Sequence, residues 1–496
     1  MSISDRQISP DAVLPGQPFG LIIDGQSVPS ASGRTFATLN PATGREIAQL
    51  AEGAPEDVDR AVAAARRAFT GPWSCWTPSQ RQALLIRVAE LLADRFEDFA
   101  LVETLDMGAP LSRTRMLKEP IRQMILFFAA QALNLKGETL QNSLPLPIQS
   151  MTIKAPVGVV AGIIPWNGPL ISQWWVLGGV LATGCTAVMK PAEDASLSVL
   201  RMVDLLHEAG MPEGVVNVVT GYGPVAGEAL ARHPGVDRIA FTGSTATGRR
   251  IIEASTVGMK KLQLELGGKS PDIVFADADL DKAVPGAAMG VFTNSGQVCY
   301  AGTRLFVQRA IHEDFVERLK QFTASVKVGN GLDPDVQLGP LISQRQLDRV
   351  MGYVEGAPGE GARLAAGGAR LGGALAEGFF VQPTVFADVS NSMRIAQEEI
   401  FGPVISVIPF EDAEDALRMA NDTDYGLGGA VWTRDVSTMY RMINGIRTGT
   451  LWINCYGAVD PAVGFGGIRN SGYGVKGGAE HLDLYTYRKA VYINIG

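Results

Sequence analysis

The sequence predicts an α/β fold with parallel sheets in more than one domain, on three observations. Short β-branched runs alternate with helical patterns through the middle of the chain, the spacing of strand–helix–strand units whose strands run parallel. The alternation restarts after Pro271, which implies two such sheets. A chain of 496 residues also exceeds what one hydrophobic core supports, so two or three domains are expected.

Residues 1 to about 20 are rich in Ser, Pro and Gly and read as a loose arm. A helix is expected from Pro55, where Glu56 and Asp57 precede apolar residues at Val58, Ala61, Val62, Ala65 and Phe69. A second covers Ser79 to Phe96. Val157–Ile164, Thr186–Lys190, Val215–Thr220 and Asp237–Phe241 read as strands, with helices at Ser196–Ala209 and Val225–Arg232. Beyond Pro271, strands are expected near Asp272–Phe275, Arg304–Val307, Val404–Phe410, Gly429–Trp432 and Thr450–Asn454. The Gly- and Ala-rich stretch Gly356 to Gly378 reads as a surface excursion. Near the C-terminus, Thr486 to Ile495 is β-prone and leaves a bare sheet edge unless another segment or chain pairs with it.

A net charge of −8 and a pI near 5.3 argue against nucleic acid or an anionic membrane as a partner. The first residues show neither a signal-type apolar stretch nor a basic transit segment, and the longest apolar window, Trp174 to Met189, is interrupted by glycines and threonine. The expectation is a soluble, cytoplasmic protein. Cysteines at 75, 185, 299 and 455 and histidines at 207, 233, 312 and 481 form no ligand-spaced pair, so no metal site or disulfide is expected. Histidine is also absent near the motifs below, which removes the usual base of a serine hydrolase or Cys–His protease.

Three segments carry chemistry. Asn294-Ser-Gly-Gln-Val-Cys299 places a cysteine after a Gly-Gln turn at the end of the helical pattern Ala283 to Phe292. Taken alone, Cys299 is better read as a small buried hydrophobe; beside exposed backbone amides it can be held as thiolate, the form that attacks a carbonyl carbon. Pro165-Trp166-Asn167 follows one strand pattern and Glu265-Leu266-Gly267-Gly268 follows another. Nucleophile, amide donor and carboxylate together are the set that covalent acyl transfer requires.

With Met189-Lys190-Pro-Ala-Glu193, Phe241-Thr242-Gly243-Ser244 and Glu398-Glu399-Ile-Phe401-Gly-Pro-Val404, six motifs stand in one order, and the chain resembles the NAD(P)-dependent aldehyde dehydrogenases from about Leu21 onward. The resemblance implies a parallel-sheet, Rossmann-like cofactor domain (1–132 and 152–264), an α/β catalytic domain (265–470) and a small β oligomerisation element (133–151 and 471–496). It implies an aldehyde substrate, NAD as cofactor, and a homodimer or homotetramer. Cys299 becomes the nucleophile, Asn167 and the Cys299 backbone N–H the oxyanion donors, and Glu265 the base that activates water. Trp166 and Ser244 are expected on the pyrophosphate, within a groove that also includes Ile163, Ile164, Pro165, Gly223, Gly227, Phe241, Thr242, Gly243, Leu266 and Gly267. Lys190 and Glu193 are expected on the adenosine ribose, where a carboxylate favours NAD over NADP. Glu399 and Phe401 are expected at the nicotinamide end.

The chain departs from the family pattern in two ways. Gly168 and Val459 stand where many members carry aromatic residues, which predicts a wide aldehyde tunnel bounded by Trp174, Phe292, Tyr300, Tyr456 and Phe465. Val176 and Lys476 stand where many members pair a lysine with a glutamate to export protons, so Lys476 can instead pair with Glu265 and lower its pKa. Two other readings remain: a CoA-acylating relative, opposed by the retention of Glu265, and a non-catalytic structural relative, opposed by the intact Cys299, Asn167 and Glu265.

Overall fold

A computed structural model describes residues 18–496. Most of the stretch read as a loose arm lies outside them. Among the described residues no helix is long and apolar enough to cross a membrane.

The first sheet has eight strands, in the order Gly472–Tyr473, Lys261–Glu265, Arg238–Thr242, Val159–Ile164, Thr186–Pro191, Val216–Val218, Leu21–Ile23 and Gln26–Val28. The five strands from Lys261–Glu265 to Val216–Val218 in that order run parallel. They are apolar almost throughout because helices cover both faces. One face packs against Pro78–Asp94, Phe96–Met107, Lys118–Ala132, Trp174–Thr183 and Leu197–Glu208. The other packs against Pro55–Thr70, Glu228–Arg232 and Thr245–Ser255. Successive strands leave Val159–Ile164 in opposite directions across the sheet, so a crevice opens beyond its C-terminal end, the place where such sheets hold ligands. The register brings Phe241 beside Ile163, Ile163 beside Lys190, and Thr242 beside Glu265 at that edge.

The second sheet has seven strands, in the order Arg363–Ala366, Thr384–Ala387, Val404–Phe410, Arg304–Gln308, Pro271–Val274, Ala430–Trp432 and Trp452–Ile453. All pairs are parallel except the first. Pro78, Pro271 and Pro55 each begin an element, where a missing N–H is no loss. The excursion expected at 356–378 therefore holds an edge strand, Arg363–Ala366, that period-two patterning in a Gly/Ala stretch did not reveal. The helix expected at Val225–Arg232 opens instead as a π turn, Gly223–Gly227, before Glu228–Arg232. Such turns gather at functional sites. Gly227 lies under Lys190, whose Cδ is 4.0 Å from where a Cβ would stand.

A third sheet pairs Thr486–Asn494 with Ile148–Pro156 over nine residues, and Thr139–Leu140 follows on the other side. The tail first adds an edge strand to the first sheet: Gly472–Tyr473 pairs with Leu264 and Glu265. This carries Lys476 to the crevice.

Candidate active site

A cavity of about 1170 Å³ runs along the C-terminal edge of the first sheet and into the space before the second. Every site residue expected from the sequence lines it except Trp174, Phe292 and Tyr456. Trp174 and Phe292 are fully buried in the helix-packed cores. Tyr456 lies behind the wall, donating its hydroxyl to the Tyr300 carbonyl at 2.6 Å and stacking on Trp452 at 5.0 Å. The tryptophan that lines the cavity is Trp175, one position on. In a helix that step rotates the side chain by about 100°, and Ile171, Ser172 and Trp175 share the face that Gly168 begins. Leu117, Met124 and Val298 complete the apolar walls. At Gly168 itself an added Cβ meets only Ile171, at 3.5 Å.

Cys299 follows a backbone of unusual curvature. After the helix Leu280–Phe292, three consecutive residues hold positive φ: Asn294 at 56°, Ser295 at 58° and Gly296 at 72°. Side chains fix the two non-glycine residues in place. Asn294 donates to the Asn167 carbonyl at 2.9 Å, and Ser295 donates to the Gly339 carbonyl at 2.8 Å. Gln297 accepts from the Ile342 N–H at 2.9 Å. Gly296 admits no side chain, because a Cβ there would stand 2.0 Å from the Gly402 carbonyl oxygen. Gly268 is equally constrained, 2.3 Å from the Cys299 carbonyl oxygen.

Asn167 turns its amide to the same loop, donating to the Gln297 carbonyl at 2.8 Å. A primary amide has two N–H groups, so one remains for an oxyanion. Cys299 differs from expectation. Burial, together with the Glu265 and Glu399 carboxylates and against the Lys476 ammonium, pushes its thiol up to about 12. The thiol is held protonated and requires a base. Glu265, 2 % exposed at the end of its strand, has both carboxylate oxygens without a hydrogen-bond partner among the described residues. Burial raises it to about 7, and the one opposing charge is Lys476. Lys476 is fixed by reciprocal backbone bonds with Phe465, both 2.7 Å, and donates from Nζ to Thr242 Oγ1 at 3.0 Å.

The remaining motifs outline a long groove. Lys190 Nζ donates to Glu193 Oε2 at 3.1 Å. Burial alone would raise Glu193, but the Lys190 ammonium, the hydrogen bonds and Arg345 outweigh it and hold the carboxyl below its usual value. Ser244 caps the helix Thr245–Ser255 by accepting from Thr247 N–H at 3.2 Å, and this helix start points its free amides at the groove. Glu399 accepts from Gly268 N–H at 3.0 Å, and the bare Gly267 permits that approach. Phe401 adopts φ 62°, held by Gln346 donating to its carbonyl at 2.9 Å, and meets Trp166 edge-on at 5.3 Å. Arg345, Gln346 and Arg349 also line the groove, from a helix that no motif marked.

Residues 28–491 match the model of the aldehyde dehydrogenase family. An aldehyde dehydrogenase of Aspergillus niger is 44% identical over 490 residues, covering 98% of this chain and 97% of the relative. A phenylacetaldehyde dehydrogenase of Pseudomonas fluorescens is 42% identical over 483 residues, 96% of each chain. The NAD+ complex of aldehyde dehydrogenase from Bacillus cereus superposes with a TM-score of 0.96 at 42% identity, covering 99% of both chains. With a cysteine, an amide and an unpartnered carboxylate converging beside a dinucleotide-sized groove, this chain belongs to the aldehyde dehydrogenase family.

Proposed function

We propose that the protein oxidises a bulky aldehyde, aromatic, terpenoid or long aliphatic, to the carboxylic acid with NAD. The observation that carries this reading is the convergence of Cys299, Asn167 and Glu265 on one cavity, with both Glu265 oxygens free. The groove suits a dinucleotide. A paired carboxylate at Glu193 can accept from ribose hydroxyls, the Ser244 helix start offers amides to a pyrophosphate, and Glu399 with Phe401 closes the far end. Bound there, NAD supplies the hydride acceptor.

The protein groups divide the rest of the work. Glu265, raised toward neutrality, accepts the Cys299 thiol proton, directly or through water, because the thiol alone holds it too tightly. The sulfur attacks the aldehyde carbon, and Asn167 Nδ2 with the Cys299 N–H receives the resulting oxyanion; one such donor is worth about 3–4 kcal/mol. Oxidation leaves a thioester on Cys299. Glu265 gives up the thiol proton to solvent, and the regenerated carboxylate then takes a proton from the water that releases the acid. The wide entry at Gly168 and the phenylacetaldehyde-oxidising relative support a broad substrate.

Within this reading the chain divides into cofactor (1–132, 152–264), catalytic (265–470) and oligomerisation (133–151, 471–496) parts, and the enzyme works as a cytoplasmic homo-oligomer. Glu265→Gln tests the central step. The rate of the NADH burst from an aryl aldehyde and the steady-state turnover should both fall, turnover by at least about a hundredfold. A burst at wild-type rate would show that Glu265 does not activate the thiol, and undiminished turnover refutes Glu265 as the hydrolytic base. Dependence of product release on added CoA would replace water with a thiol acceptor.

A further inference from the structure

Lys476 reaches the cavity on a backbone rich in glycine. Gly474 holds φ 91°, and Gly477 and Gly478 hold 74° and 69°, so the segment has little stiffness of its own. From the cavity side Phe465 accepts from the Lys476 N–H and donates to the Lys476 carbonyl, both at 2.7 Å. From the buried side stands His481, at the start of the turn His481–Leu484. Its Nδ1 lies 3.2 Å from the Gly477 nitrogen and 3.2 Å from the Val475 carbonyl oxygen. The Gly477 N–H can only donate, and the Val475 carbonyl already accepts from Gln263 Nε2 at 3.1 Å. Nδ1 is therefore the acceptor, and the ring proton sits on Nε2. Each peptide plane flanking the Lys476 Cα is thus held at both ends: the first by Phe465 and Gln263, the second by Phe465 and His481. With both planes fixed, so is the direction in which the lysine side chain leaves the backbone.

The His481 ring is seated among aromatic residues, its centroid 5.0 Å from Phe128, 5.2 Å from Tyr485 and 6.4 Å from Trp175. Burial and the positive charges of Arg238 and Lys476 push its pKa down to about 3, so the acceptor persists at neutral pH. On the cavity side, Lys476 Nζ donates to Thr242 Oγ1 at 3.0 Å, and Thr242 stands beside Glu265 in the sheet register. Glu265 Oε1 is 3.3 Å from where a Cβ would stand at Gly466, the neighbour of Phe465. The Phe465–Lys476 bridge therefore passes directly against the carboxylate. We propose that His481 is a positioning residue for the base: by holding the Gly477 peptide it keeps the Lys476 ammonium beside Glu265. Two titratable groups face Glu265, Lys476 from the tail and Cys299 from its loop, and His481 acts on the first. The inference rests on the aldehyde-oxidising reading and adds a residue to it.

The pH midpoint of NAD-dependent oxidation of an aryl aldehyde tests it, with Lys476→Met as the reference. His481→Phe keeps an aromatic ring and loses the acceptor; its midpoint should rise by about one pH unit, matching Lys476→Met. His481→Asn, whose Oδ1 takes the place of Nδ1, should hold the wild-type midpoint. In a Lys476→Met background His481→Phe should add nothing, because it acts through that ammonium. Should His481→Phe fail to fold, His481→Gln, whose polar atoms sit at the depth of Nε2, takes its place on the same terms. An unmoved midpoint in His481→Phe or in Lys476→Met overturns the proposal while leaving the enzyme reading intact. So does a shift in His481→Asn as large as that in His481→Phe, or a further shift in the double variant. A wild type that oxidises no aldehyde overturns the enzyme reading and the inference with it.

Discussion

Among the described residues Lys476 is the positive charge that acts on both Glu265 and Cys299, and it reaches them from a tail that edges the first sheet. Its position ties the pH profile to a single side chain. Glu265 must be ionised to take a proton, so kcat should rise with pH through a midpoint near the value of about 7 that burial imposes. Lys476 favours the ionised form; Lys476→Met therefore moves the midpoint upward, by about one pH unit, and Lys476→Arg holds it. A pH profile of thioester hydrolysis measures this, and an unmoved midpoint in Lys476→Met would show that Lys476 only anchors Thr242. The ribose carboxylate is a second point of single-residue control. Glu193 is kept ionised beside Lys190 and should repel a 2′-phosphate, so NAD is preferred over NADP by at least about tenfold, ~1.4 kcal/mol. Glu193→Ser should narrow the ratio of kcat/KM values. Equal use of both cofactors by the wild type would mean that the carboxylate turns away from the ribose.

At the scale of elements, the loop Pro165–Gly168 and the helices behind it set tunnel width. The backbone at Gly168 is extended, φ 165°, a conformation open to any residue, and an added side chain points into free space. Gly168→Phe should therefore fold normally, lower kcat/KM for branched or aryl aldehydes by about tenfold or more, and raise it for acetaldehyde, which the narrower tunnel orients better. If the wild type already prefers acetaldehyde, Trp175 fills the width that Gly168 leaves. The same helix shows what could be read in advance. The residues along the sheet edge were legible because parallel strands present their C-terminal ends together, so Ile163, Lys190, Thr242 and Glu265 fall in line once the strands are identified. The tunnel was not. Trp174 and Trp175 are adjacent and equally apolar, and only packing decides which faces the core, in a helix buried on all sides. Arg113, Leu117 and Met124 were beyond reach for another reason: they meet Cys299 across some 180 residues of chain, with no motif around them. The thiol's protonation was also hidden, since burial and facing carboxylates come from the tertiary fold.

For the whole molecule, the three-stranded sheet is the feature that one chain leaves unfinished. Thr486–Asn494 pairs on one side and is open on the other, and Tyr487, Tyr492 and Ile493 are exposed along it. Leu144 and Leu146 add further exposed apolar surface from the preceding segment. An open edge with apolar side chains is a template for association. Light scattering of the wild type should give the mass of two or four chains, and Tyr492→Asp with Ile493→Asp should shift it toward one. A monomeric wild type refutes the assignment of this edge.

The interlock between the cysteine loop and the glycine of the Phe401 segment limits how such an enzyme can be rebuilt. Gly296 touches the Gly402 carbonyl where no further atom fits, while Phe401 beside it borders the cofactor groove. A designer who transplants residues 294–299 from a relative to alter reactivity inherits a surface cut to fit that relative's own 399–403 segment. Chimeras that exchange both stretches should keep their register, and those that exchange one should lose nucleophile alignment and dinucleotide affinity at once. The practical cassette is thus a discontinuous pair.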